Sequence, residues 1–121
     1  MKYLLLVHHN EEDFAKMPET VQREMLAESI QLCHQLNGKG QYLHASPLQP
    51  TATATLVRVH HGKPTVTDGP FIETREQLAG YFLIEAKDLD QAIGIAGRIP
   101  GARIGTVEVR PLREITGLPG E

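Results

Sequence analysis

Tyr3-Leu4-Leu5-Leu6-Val7 and Tyr81-Phe82-Leu83-Ile84 are two continuous apolar runs, and their reading decides the fold. Neither has the three-to-four spacing of an amphipathic helix. Successive side chains of a strand point to opposite faces, so an unbroken apolar run of this length reads as a strand buried on both sides. Such strands belong in the middle of a sheet.

Outward from these runs the pattern turns helical. From Pro18, Val21, Met25, Leu32 and Leu36 share one stripe, broadened by Leu26, Ile30 and Cys33, with Glu19, Arg23, Glu24 and Glu28 opposite. Gly38 and Gly40 stop this helix, since glycine enters the left-handed conformation of a C-cap at no steric cost. Residues 41–44 read as a short strand ending at Ser46-Pro47. The β-branched alternation of 53–60, the His61-Gly62 turn and residues 63–67 read as a hairpin, with Pro64 suited to an edge. Thr74 and Gln77 suggest a capped helical turn. Asp88 with Gln91 caps a helix whose stripe is Leu89, Ala92, Ile93, Ala96 and Ile99, ended by Pro100-Gly101. Residues 104–112 alternate, as a half-exposed edge strand does.

The order is strand-helix-strand, hairpin, strand-helix-strand. It predicts an α+β fold, a ferredoxin-like βαββαβ unit with an extra edge hairpin. That topology puts its first and third strands at the sheet centre, where the two apolar runs belong. Two helices cover one face only, and both faces of these strands are apolar. A second copy packed sheet against sheet about a twofold axis is the economical cover, so a homodimer is the expected partner state. Residues 10–20 are too polar to cover that face alone.

The 121 residues fit one domain, expected over 1–113, with a Gly- and Pro-containing tail over 114–121. A net charge of −3 offers no general attraction to nucleic acid or anionic lipid. The run 3–7 is too short for a signal or a membrane span, and the lone Cys33 makes no internal disulfide, so a cytoplasmic location is expected.

Asp68-Gly69-Pro70-Phe71, followed by Ile72-Glu73-Thr74-Arg75-Glu76-Gln77-Leu78-Ala79-Gly80-Tyr81, resembles the signature of DGPF-domain proteins of the YCII-related family. Ser46-Pro47-Leu48-Gln49-Pro50, residues 51–59, Asp88-Leu89-Asp90-Gln91-Ala92 and Val107-Glu108-Val109-Arg110-Pro111 resemble the same family. The resemblance implies a ferredoxin-like unit in a dimeric α/β-barrel-type assembly, with activity mostly unassigned. In the wider family, activity goes with a histidine on the first helix paired with an aspartate. No histidine lies between Glu19 and Cys33, so that dyad does not carry over. The resemblance also extends to products encoded beside extracytoplasmic-function sigma factors, which implies a transcription-factor partner as a competing role.

Asp68 is the first candidate catalytic residue. Before Gly-Pro it serves as a turn-forming Asx residue, as a carboxylate base held at a cleft mouth, or as both. His44, ending its strand beside Ser46-Pro47, is the second. Ser46, Gly69, Pro70, Glu73 and Tyr81 are the candidate ligand-binding residues; Glu73 also reads as part of a solvated face with Arg75 and Glu76, and Tyr81 as core. The adjacent pairs His8-His9 and His60-His61 point to opposite strand faces and cannot chelate one ion, so no metal and no cofactor is expected. Cys33 on the helix stripe reads as packing. Three functions follow: a lyase- or isomerase-like acid/base enzyme for a small cyclic or phenolic molecule, a non-catalytic binder of a small ligand, and an accessory protein.

Overall fold

A computed structural model describes residues 1–70 and 72–120; Phe71 of the loop motif and Glu121 of the tail lie outside the described residues. The two apolar runs are the cores of β1 (Lys2–His9) and β5 (Gln77–Glu85). They pair antiparallel, Leu5 opposite Phe82, at the centre of a four-stranded sheet. Its edges are β2 (Tyr42–Pro47), beside β5, and β6 (Thr106–Pro111), beside β1.

Alternation divides the sheet into unlike faces. Tyr3, Leu5, Val7, Phe82 and Ile84 are buried on one side against Leu32 and Leu36 of α2 (Glu19–Gly38) and Ala92, Ile95 and Ala96 of α3 (Leu89–Ala96). Leu4, Leu6, Tyr81 and Leu83 alternate with them on the open face and are only half-buried. The helix layer is thus confined to one face, as two helices dictate.

Several expectations need correction. The hairpin exists, β3 (Thr55–His60) and β4 (Lys63–Asp68), but as a separate two-stranded sheet rather than an edge of the main one. Its His61-Gly62 turn has positive φ at both residues, the combination of a type I′ hairpin. A further short helix, α1 (Glu11–Lys16), precedes α2, and Asn10 caps it by accepting from the Asp13 N–H at 2.9 Å. The helical turn expected after Thr74 is absent; its polar residues instead close a bend, the Gln77 amide donating to the Thr74 carbonyl at 2.6 Å, and β5 starts at once.

In α3 the Asp88 cap is present, and Gln91 reaches back to the Lys87 N–H at 2.8 Å. The helix stops at Ala96, with a 3-10 turn at Pro100–Arg103, and its buried stripe includes Ile95 while Leu89 and Ile93 face solvent. The α2 stripe is narrower than expected too, with Leu26 and Ile30 half exposed. Among the described residues no helix is long and apolar enough to cross a membrane.

Candidate functional site

A cleft opens where α2 and the sheet part company. Toward the C-terminal end of α2, Leu32 and Leu36 fill the space against the sheet. Toward its N-terminal end Met25, Ser29 and Cys33 line a cavity of about 220 Å³ together with Val7, Ala45 and Phe82 of the sheet. Part of the floor stays low because Ala45, Ala79 and Gly80 are small. A methyl group at Gly80 would stand 2.9 Å from the Ser46 carbonyl oxygen, so that position excludes a side chain. Pro100 and Gly101 close one flank, and a methyl at Gly101 would lie 2.5 Å from Val7 Cγ1.

His9 and Phe14 border the cleft, their rings stacked at 4.6 Å. Gln22 ties α1 to α2 there, its amide donating to the carbonyls of Phe14 and Met17 at 3.1 and 2.9 Å. Burial holds the His9 imidazole below the ordinary histidine value, and the Glu11 and Glu76 carboxylates pull it partly back. Burial also pushes the Cys33 thiol up, which keeps it protonated and unreactive at neutral pH. The cleft therefore offers an apolar wall with a neutral imidazole at its border, able to accept a proton.

Of the sequence-predicted site residues, Ser46 and Tyr81 belong to the stretch of sheet that floors this cleft, with their side chains on its opposite, open face; His44, Asp68, Gly69, Pro70 and Glu73 are outside the lining. The Tyr81 hydroxyl meets His44 Nδ1 at 2.8 Å and the two rings stack, so these two are brought together, on the open sheet face. Ser46 pairs with Tyr81 in the β2–β5 register, its hydroxyl donating to the Pro47 carbonyl at 2.8 Å. Asp68 ends β4, exposed and opposite Thr55, and the Gly69 N–H donates to the Ala54 carbonyl at 2.7 Å. Glu73 is exposed. The candidates therefore fall into two groups, one at the sheet and one at the hairpin base.

Only one of the two histidine pairs separates as strand geometry requires: His61 lies in the positive-φ turn past the end of β3, and its ring meets that of His60 at 4.0 Å, so the expectation of opposite faces fails for that pair. His8 meets Glu108 at 3.1 Å on the open face, whereas His9 turns to the cleft; among the described residues no three histidine, cysteine or carboxylate side chains group as a metal site. His9, Gln22 and Ser29 are polar residues of the cleft lining not singled out as site candidates from sequence. The signal for His9 was available, because it continues the Tyr3, Leu5, Val7 alternation onto the helix-facing side. Gln22 and Ser29 carry no such signal among the polar residues of α2.

The YCII-related domain matches residues 1–116. This chain belongs to that family. An uncharacterised protein of Rhizobium meliloti (strain 1021) is 45% identical over 67 residues, a match covering 54% of each chain; the chain spans about half the length of that curated relative. Among solved structures, the 5-chloro-2-hydroxyhydroquinone dehydrochlorinase of Burkholderia phenoliruptrix AC1100, in complex with 2,5-dihydroxybenzoquinone, matches at TM-score 0.54 and 11% identity, covering 93% of this chain and 94% of that one. At that identity the likeness is one of fold. In this YCII-related chain the one histidine of α2, His34, is exposed and outside the cleft.

Proposed function

We propose that the protein binds a small one-ring molecule in the cleft between α2 and the sheet, and that His9 exchanges a proton with it. The observation that carries this reading is the apolar cavity of about 220 Å³ bordered by a histidine kept neutral by burial. A cavity of roughly 150 Å³ holds benzene, so this one has room for a substituted single ring. The fold neighbour is named for a hydroxylated ring substrate and was solved with a dihydroxyquinone, which supports a phenolic or quinonoid ligand. A neutral imidazole accepts a proton from a ring hydroxyl and gives it back to a ring carbon in an isomerisation, or, in an elimination, as the phenolate electrons shift and the bond to a ring substituent breaks, to that departing group, and such a base contributes roughly 10² to 10⁴ in rate.

The test is a thermal-shift and NMR screen of hydroxylated rings against aliphatic acids of similar mass, on the native chain and on Ser29→Phe, which fills the cavity. Ring compounds should stabilise the native chain alone. Equal shifts in both proteins would remove the cleft from the reading. A second reading, binding without catalysis, is favoured by the lack of any carboxylate in the described lining. His9→Gln separates the two: a catalyst loses turnover and keeps binding, whereas a binder shows turnover in neither form. Asp68→Asn and His44→Gln should leave occupancy of this cleft unchanged; loss of turnover in either would restore its proposed catalytic role.

We also propose that a second copy covers the open face, giving the twofold dimer of ferredoxin-like units. Leu4, Leu6 and Leu83 form its half-buried apolar centre, between the Tyr81–His44 pair on one side and His8, Glu108 and Arg110 on the other. Leu4→Glu, which puts a charge in that centre, should shift the protein to monomer by light scattering while its circular dichroism stays native. A lone half-buried thiol and the absence of a disulfide fit a reducing cytoplasm.

A further inference from the structure

We infer that the β3–β4 hairpin is an arm that packs on the α1–α2 segment of a second copy of this chain. The arm stands away from its own body: of its twelve strand residues only Leu56 is half-buried, and the rest are exposed. A free two-stranded hairpin is marginally stable in water. One face of this one is apolar, since Val57 pairs with Val66 and Val59 with Pro64, and the three valines are 64%, 65% and 70% exposed for Val57, Val66 and Val59 respectively. Such a face calls for a partner surface.

Its base is fixed. Glu11 accepts from both the N–H and the hydroxyl of Thr51 at 2.9 Å, and the Gly69 N–H bonds the Ala54 carbonyl. A methyl at Gly69 would stand 2.6 Å from Ala54 Cβ, so the strands leave the body through a tight neck. With the neck held in this way, a second copy of the chain is the occupant we assign to the apolar face.

Charge identifies the surface on that copy. No Asp or Glu occurs from Leu43 to Thr67, and the arm carries Arg58, His60, His61 and Lys63 toward its tip, its one carboxylate being Asp68 at the base. Residues 11–28 hold six acidic residues against two basic ones, and Glu12, Asp13, Glu19 and Glu24 are exposed. Leu26 within that segment and Ile30 just after it, 50% and 51% exposed, lie at the cleft lining. The arm's valines meet those two side chains, its basic tip meets the flanking carboxylates, and the arm of one copy borders the cleft of the other.

The inference rests on the two-copy assembly, and cross-linking separates the two claims. In a Cys33→Ser background, Val59→Cys with Leu26→Cys should give an interchain disulfide on mild oxidation, seen as a dimer on a non-reducing gel, while neither single variant does. A monomeric disulfide would put the arm on its own helix, and a dimer from Val59→Cys alone would put arm against arm; either overturns the proposal. A native chain that dimerises in solution while the double variant forms no disulfide sinks the arm and spares the sheet-face dimer. A native chain monomeric at micromolar concentration sinks both. Lys63→Glu should weaken the dimer about tenfold, as loss of a charged rim contact can, and Glu24→Lys should restore it.

Discussion

At one end of the helix–sheet layer Leu36, Leu5 and Ile84 are wholly buried; at the other, the same helix and the same strands leave a cavity. The strands are continuous through both ends, so the difference lies in where α2 parts from the sheet, helped by a few small residues in the walls. Leucines and isoleucines fill the closed end to interior density. Ser29, Ala45 and Gly80 replace them at the open end, and the Gly80 and Gly101 contacts show that larger residues have no room to enter the walls. The cleft is thus a property of the packed layer, built on rigid elements, whereas the conspicuous Asp-Gly-Pro turn sits outside it.

The contrast breaks if the two ends contribute alike to stability. Leu36→Ala should cost about 2 to 5 kcal/mol, because a buried leucine leaves a cavity that its neighbours only partly fill. Met25→Ala, in a wall already facing empty volume, should cost under about 1 kcal/mol. Urea denaturation of both variants decides it, and equal losses would mean that the open end is packed in solution. Next in size, Gly101→Ala pushes a methyl to 2.5 Å from Val7 Cγ1 and should cost about 1 to 3 kcal/mol by overpacking. Val7→Ala in the same chain should recover most of that loss; no recovery would point to backbone strain instead.

The closed end was legible in the sequence and the open end largely was not. The runs at 3–7 and 81–84 mark the central strands because short apolar runs bounded by polar residues suit strands flanked on both sides, one face buried under the helices and the other half-buried, and Asp88 with Gln91 marks the α3 start because a cap is a local hydrogen bond. The inner stripe of α2 misleads. Leu26 and Ile30 are as apolar as Leu32 and Leu36, and only the tertiary parting of helix from sheet leaves them exposed. The hairpin turn was legible from His61-Gly62, but its detachment from the main sheet was not, since pairing between distant strands leaves no local mark. Among candidate residues, Tyr81 and Ser46 stand in the strands under the cleft but face the other way, Tyr81 meeting His44 on the open face, while His9 went unmarked as half of an adjacent pair that strand geometry separates.

Acid stability sharpens the contrast through His9. Its folded pKa lies below the unfolded value of about 6.5, because burial disfavours the imidazolium. Well above that range both states are neutral at His9 and it contributes nothing to the pH dependence. As pH falls, the unfolded chain takes up the proton first, so stability declines until the folded group also protonates. His9→Gln should therefore lose less stability than the native chain between pH 7 and pH 5, measured by urea denaturation at each pH. An identical slope in the two proteins would mean that His9 is solvated in both states, and the border of the cleft would be open water.

The smallest effect is kinetic and reads the same cavity from its inner wall. Cys33 is half-buried in the lining, and burial raises its thiol pKa, so at mildly alkaline pH less of it is thiolate than in the unfolded chain. Only the thiolate alkylates. Iodoacetamide should therefore modify Cys33 a few-fold more slowly in the folded protein than in urea, followed by mass spectrometry, after correction for the effect of urea on a free thiol. A ring compound that occupies the cleft should slow it again, because it takes the space the reagent needs beside Met25 and Ser29. Leu36→Ala, at the closed end, should leave the folded-state rate near that of the native chain, so the measurement also separates loss of packing from opening of the cleft. Equal rates in the folded and unfolded chains would make the cavity a solvent-filled groove, and the distinction between the two ends would reduce to one of shape alone.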